Sequence, residues 1–254
     1  MEKTNAQMLP PWWNDGLHGL STDPNGKAAF SLRETNGAIF MEDLKRNLGS
    51  LTDHERKAYE WAMTWPTVSY RPIIYAAALP VLRAGFELPK FKTKKFSSHS
   101  LTLGVYVYNP NYPVECHIAI NCNSDVLLGD KISDDPNNKN VLHGWWTQPN
   151  VVLHELGHAI ADQAGGYRGC RSSRYTDLLK YTSNLGTIRH GSKMQQFIET
   201  NVSGYGATKW CEFDAEVISG ILAGKKYPKK IIDLLPNFPD ERFIKIKEQG
   251  TREA

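Results

Sequence analysis

The sequence predicts an α+β domain built from a small antiparallel or mixed sheet and a C-terminal helical lobe. Three observations carry that expectation. Two β-branched and aromatic stretches, SLTLGVYVY (Ser100–Tyr108) and VECHIAIN (Val114–Asn121), flank the turn-prone NPNYP (Asn109–Pro113), the pattern of a β-hairpin. Apolar segments with helical start and stop signals lie both before and after that hairpin. With 41% hydrophobic and 22% charged residues over 254 positions, the chain has an ordinary globular composition and the length to bury a substantial core.

Taken in order, residues 1–50 are rich in Gly, Asn, Pro and Asp, with local clusters such as Pro11-Trp12-Trp13. They read as an irregular extension packed on a domain that occupies residues 51–254. Thr52 and Glu55 stand at capping-box spacing and start a helix that runs to Trp65, where Pro66 ends it. A second, buried helix is expected over Ile73–Ala84, with Gly85 as its stop. After the hairpin, Ser133–Asn140 is a loop. Thr147 can cap the next helix, Pro149 suits its first turn, and Gly165-Gly166 ends it. Further helices are expected around Tyr175–Tyr181, Lys193–Thr200 and Thr208–Ala223, with Gly224 stopping the last. The residues after Pro239 read as a terminal amphipathic helix.

Bulk features exclude several function classes. No apolar run approaches the ~20 residues needed to span a bilayer, and residues 1–10 lack the apolar core of a secretory signal. The chain is therefore expected to be cytoplasmic or exported by a route that leaves no such signal. A net charge of +3, from 30 basic and 27 acidic residues, is too balanced to imply a nucleic-acid or membrane partner. The basic runs KFKTKKF (Lys90–Phe96) and RGCRSSR (Arg168–Arg174) read as solvated faces, although the second follows the helix at 147–165 and could steer acidic substrate segments. Cys116, Cys122, Cys170 and Cys211 fall in no CxxC pair, which argues against a disulfide framework and fits a reducing compartment.

Chemistry concentrates in VVLHELGHAIADQ (Val151–Gln163). His154 and His158 are four apart and share a helix face, so their imidazoles can bind one ion. Glu155 lies beside that ion, where a general base for a metal-activated water belongs. The flanking residues are apolar almost all round, so the helix is buried, and buried imidazoles with a buried carboxylate need partners. Gly157 costs about 1 kcal/mol of helix propensity relative to Ala. A close backbone approach would account for it, and so would chance. Asp162, one turn beyond His158, points along the helix and reads as a solvated or supporting carboxylate. A third ligand must then come from another element. The stretch VSGYGATKWCEFDAEVISG (Val202–Gly220) offers Glu212 and Glu216, four apart on a largely apolar helix. One can bind the metal while the other accepts a hydrogen bond from a ligand histidine. His18, His54, His99, His117, His143 and His190 are isolated and read as structural. Trp145-Trp146 read as core. VECHIAIN is either an edge strand that pairs with an extended peptide or an ordinary sheet strand.

HELGHAIADQAGGY (His154–Tyr167) and SGYGATKWCEFDAE (Ser203–Glu216) resemble the gluzincin metallopeptidases, in particular the anthrax lethal factor catalytic domain and its relatives. A weaker likeness runs through GSKMQQFIE (Gly191–Glu199), so roughly the last hundred residues, a core of 141–254, are covered. The resemblance implies a zincin-like fold and a zinc endopeptidase acting on protein or peptide substrates. It implies that His154, His158 and Glu212 bind one zinc ion and that Glu155 activates the water. Tyr205, seven residues before Glu212 as in that family, would donate to the oxyanion, and Glu216 would support a ligand histidine. Asp214 and Cys211 depart from the apolar or variable neighbours the pattern leads one to expect; Cys211 reads as a small buried side chain. The alternative is a catalytically silent protein that keeps the fold for packing within a larger assembly.

Overall fold

The computed structural model of the chain describes residues 39–65, 71–94, 104–109, 111, 115–121, 148–165, 186–222 and 224–252. The expected loop at Ser133–Asn140, the helix at Tyr175–Tyr181, His18, His99, His143, Trp145-Trp146 and Arg168–Arg174 lie outside the described residues. What is described is a mixed α+β architecture with a small three-stranded sheet.

The end of the stretch expected to be irregular is helical: residues 39–46 form a helix and Leu48–Ser50 a 3-10 turn. Met41 and Leu44 are buried in the main core, which explains why this segment orders despite its weak local signals. Helix α1 (Asp53–Met63) begins at Thr52, and the capping box forms in full. The Thr52 N–H donates to Glu55 Oε2 at 2.9 Å, and the Glu55 N–H donates to Thr52 Oγ1 at 3.4 Å. Helix α2 (Arg71–Arg83) packs against α1, and its residues Ile74–Leu79 are buried. Pro80 lies inside α2 and does not end it. The helix stops instead at Gly85, whose φ of +84° belongs to the left-handed region. Gly85 N–H to the Leu82 carbonyl and Phe86 N–H to the Val81 carbonyl complete a Schellman motif.

The sheet contains β1 (Lys90–Lys94), β2 (Gly104–Val107) and β3 (His117–Asn121), in the order β1-β3-β2. Strands β2 and β3 pair antiparallel, as the hairpin pattern predicts, with Tyr106 opposite Ile118. Strand β1 adds in parallel on the other side of β3. It comes from the basic run KFKTKKF, whose alternation of lysines with Phe91 is that of a lysine-guarded edge strand. Phe91 stacks on Trp65 with ring centroids 3.8 Å apart. Of the two readings of VECHIAIN, the ordinary sheet strand is the one observed: β3 is the central strand and both its sides are paired. Its Ile118 and Ile120 face the core.

Helix α3 (Gln148–Ala164) contacts β2, β3, α2 and the later helices, so it is the centre of the fold. Helix α4 (Lys193–Asn201) is capped by Ser192, whose side chain accepts from the Gln195 N–H. Helix α5 (Trp210–Leu222) runs along α3 and buries Trp210, Phe213 and Val217. A single turn, α6 (Lys229–Ile232), and α7 (Glu241–Gly250) close the C-terminal lobe, with Asp240 capping α7. Among the described residues no helix is long and apolar enough to cross a membrane.

Candidate metal centre

Helical periodicity brings His154 and His158 to one face of α3, with ring centroids 4.8 Å apart and planes at 87°. The third group arrives from α5. Glu212 places its Oε2 3.1 Å from His154 Nε2 and 3.3 Å from His158 Nε2. One potential ligand atom from each of the three residues lies within 4.8 Å of the others, so the triad is a possible metal site.

The helices can come this close because Gly157 faces α5. A Cβ there would lie 2.6 Å from the Ala215 carbonyl oxygen and 2.9 Å from Ala215 Cα. Of the two explanations for this glycine, the close backbone approach is the one the structure contains.

Behind the triad a chain of hydrogen bonds fixes His154. Its Nδ1 is 2.7 Å from Glu216 Oε1, and Ser203 Oγ donates to Glu216 Oε2 at 3.0 Å. Ser203 Oγ in turn accepts from the Gly206 N–H at 2.9 Å. With Nδ1 donating to Glu216, Nε2 is left to face a cation, and this is the arrangement that sets ring orientation in metal sites. The question left open by two glutamates on one helix is thereby resolved: Glu212 faces both histidines and Glu216 stands behind one.

The electrostatics follow from burial. Glu155, Glu212 and Glu216 put three carboxylates beside two imidazoles in a largely enclosed space. Burial works against a charged His154, but hydrogen bonds to Glu212 and Glu216 outweigh it and push its pKa up to about 10. For Glu212, burial favours the neutral form, yet hydrogen bonds from His154 and His158 hold its carboxyl well below the usual range. Burial raises the Glu155 carboxyl, a shift augmented by Glu212 and opposed by the two histidines and by the Tyr106 backbone. So much enclosed negative charge favours a bound cation.

Tyr205 reaches the same place from the turn before α5. Its ring centroid is 5.5 Å from that of His154, and burial, then the Glu212 carboxylate beside it, push its hydroxyl up. The turn sits against α5 in ordinary contact, with a Cβ at Gly206 lying 3.4 Å from Glu216 Cβ. Cys211 is half-buried with its thiol 3.8 Å from Glu212 Oε1; burial, then Glu212, push it up to about 11 and keep it protonated.

Not every candidate joins the cluster. Asp162 is 3% exposed and accepts from the Tyr106 hydroxyl at 2.8 Å, so it is not a solvated carboxylate, and the partner the structure gives it is a strand tyrosine rather than a ligand histidine. His54 and His190 are exposed, and His117 Nδ1 bonds the Glu115 carbonyl at 2.8 Å. Nothing in the sequence singles out Ser203, Tyr106 or Gly104, whose parts depend on contacts between distant segments. The one available signal is that Ser203 opens the glycine-rich SGYG turn ahead of Glu212.

No family model, curated protein or solved structure matches the chain.

Proposed function

We propose that this chain is a zinc-dependent endopeptidase with a zincin-like fold, of the lethal-factor-like type that the two motifs resemble. The single observation that carries the reading is the convergence of Glu212 on both histidine Nε2 atoms while Glu216 engages the far nitrogen of His154. Two imidazole nitrogens and one carboxylate are a donor set that suits a catalytic zinc with a position left open for water. His154, His158 and Glu212 would hold the ion. When bound, it supplies Lewis acidity and brings the pKa of a water near neutrality.

The remaining chemistry belongs to side chains of this protein. Glu155 accepts the proton of the attacking water and delivers it to the leaving amine. Burial raises its pKa towards the working range of a general base. The Tyr205 hydroxyl donates to the oxyanion that develops as the carbonyl is attacked, in a half-buried site where such a donor is worth several kcal/mol. An extended peptide is a fitting substrate because β2, beside Glu155, is an edge strand among the described residues and can accept another strand.

The test is cleavage of a peptide library by the zinc-loaded chain, with and without a chelator. Chelator-sensitive cleavage is expected. Glu155→Gln should keep zinc and lose about 10²–10⁴ in rate, whereas His154→Ala should lose both zinc and activity. Full activity in Glu155→Gln refutes the mechanism, and zinc bound with no cleavage points to a silent zincin-fold protein.

A further inference from the structure

Helix α3 carries a buried carboxylate that the proposed reaction does not use. Asp162 lies seven residues beyond Glu155, so the two share a face of the helix. Its Oδ2 accepts from the Tyr106 hydroxyl at 2.8 Å. Tyr106 belongs to β2, the strand whose backbone lies beside the Glu155 carboxylate. Two residues earlier the strand is pressed onto the helix. A Cβ at Gly104 would lie 2.8 Å from Val151 Cγ1 and 3.2 Å from Glu155 Oε1. Strand β2 thus meets α3 at two points, with Glu155 between them: a close approach at Gly104 and a hydroxyl–carboxylate bond at Asp162.

A hydrogen bond from a hydroxyl to a buried carboxylate is charge-assisted, and a carboxylate left buried without such bonds is costly. The bond therefore resists sliding of β2 along α3. Such sliding would carry the β2 backbone at Gly104 away from Glu155. A glutamate side chain has three rotatable bonds, and a general base out of place by a fraction of an ångström loses much of its effect.

We propose that Asp162 and Tyr106 are positioning residues: the bond between their side chains fixes β2 along α3, so that the β2 backbone at Gly104 keeps the Glu155 carboxylate in place for proton transfer. The catalytic consequence rests on the peptidase reading, while the latch itself is a property of the fold.

Two measurements on the full zinc-loaded chain test it, using Tyr106→Phe, Asp162→Ala, their combination, and Asp162→Asn. The first is amide hydrogen exchange without substrate. At residue 106, exchange should be about tenfold faster in Tyr106→Phe and in Asp162→Ala, while Ala119 in the central strand keeps its protection. Asp162→Asn retains an acceptor oxygen and should stay near wild type. The second is cleavage. Either single variant should lower kcat by about 10- to 100-fold and leave zinc stoichiometry unchanged, and the combination should cost less than the product of the two single effects, because both loosen the same contact. Asp162→Asn should recover most of the rate.

Unchanged exchange at residue 106 in both single variants overturns the latch, whatever the enzyme does. Faster exchange with unchanged kcat overturns the positioning role and leaves the peptidase reading standing. If the wild-type chain shows no zinc-dependent cleavage, the peptidase reading and the catalytic half of the proposal fall together, and exchange alone decides the latch. Should Asp162→Ala not fold, Tyr106→Phe decides, since it removes a single oxygen.

Discussion

Replacing Gly157 by alanine is the sharpest test of how the metal centre is assembled. In an isolated helix the change would stabilise by about 1 kcal/mol, the propensity difference between the two residues. Here the new methyl would sit 2.6 Å from the Ala215 carbonyl oxygen, against 3.4 Å for an ordinary contact, so α5 must withdraw by about 0.8 Å. Overpacking of this kind costs about 1–3 kcal/mol. Set against the propensity gain, Gly157→Ala should destabilise the chain by about 0–2 kcal/mol. The effect on metal is larger, because Glu212 and Glu216 flank Ala215 on the helix that moves. Metal–ligand distances tolerate only about 0.2 Å. Zinc affinity should therefore fall by about 10- to 100-fold, the usual cost of disturbing the groups that orient a ligand. Competition with a chromophoric chelator measures the affinity, and urea unfolding of the metal-free chain measures the stability. A variant that binds zinc as tightly as wild type and is more stable by the full propensity gain would refute the close-approach argument.

Other outcomes follow from the same geometry. Tyr205→Phe should keep zinc and lower kcat by about 10²–10³; an unchanged kcat removes the hydroxyl from the mechanism. Glu216→Ala takes away the acceptor on His154 Nδ1 and should weaken zinc by about 10- to 100-fold, so an unchanged zinc affinity would show that Glu216 does not orient the ligand. Far from the site, the Arg242 guanidinium beside Asp240 lowers that carboxyl below its ordinary 3.8. A carboxyl depressed in the folded state contributes stability that is present above pH about 4 and is lost as pH falls through the lowered value. Arg242→Ala should flatten that acid limb in urea titrations, and an identical limb counts against the pair.

Local chemistry was readable where it stayed local. Thr52 and Glu55 form the capping box that their spacing predicts, and Gly85 takes the left-handed conformation that its place after α2 calls for. His154 and His158 share a face because helical periodicity leaves no other choice. The failures have a common cause. KFKTK alternates over too few residues to separate a lysine-guarded edge from a solvated run, and only its pairing with β3 makes it β1. That same pairing decides, for VECHIAIN, between an edge and the centre in favour of the centre. Residues 39–46 order because Met41 and Leu44 find the core, which composition cannot foresee.

The sequence by itself determined the two histidines, the glutamate between them, and the pair of glutamates four apart on a later helix. It could not say which glutamate faces the histidines, whether Gly157 matters, or what Asp162 touches. Each of those depends on the distance between backbones remote in the chain, and helical or strand periodicity says nothing about such distances. Tertiary packing sets them: Gly157 against Ala215 puts Glu212 on the histidines, and β2 against α3 puts Tyr106 between Glu155 and Asp162.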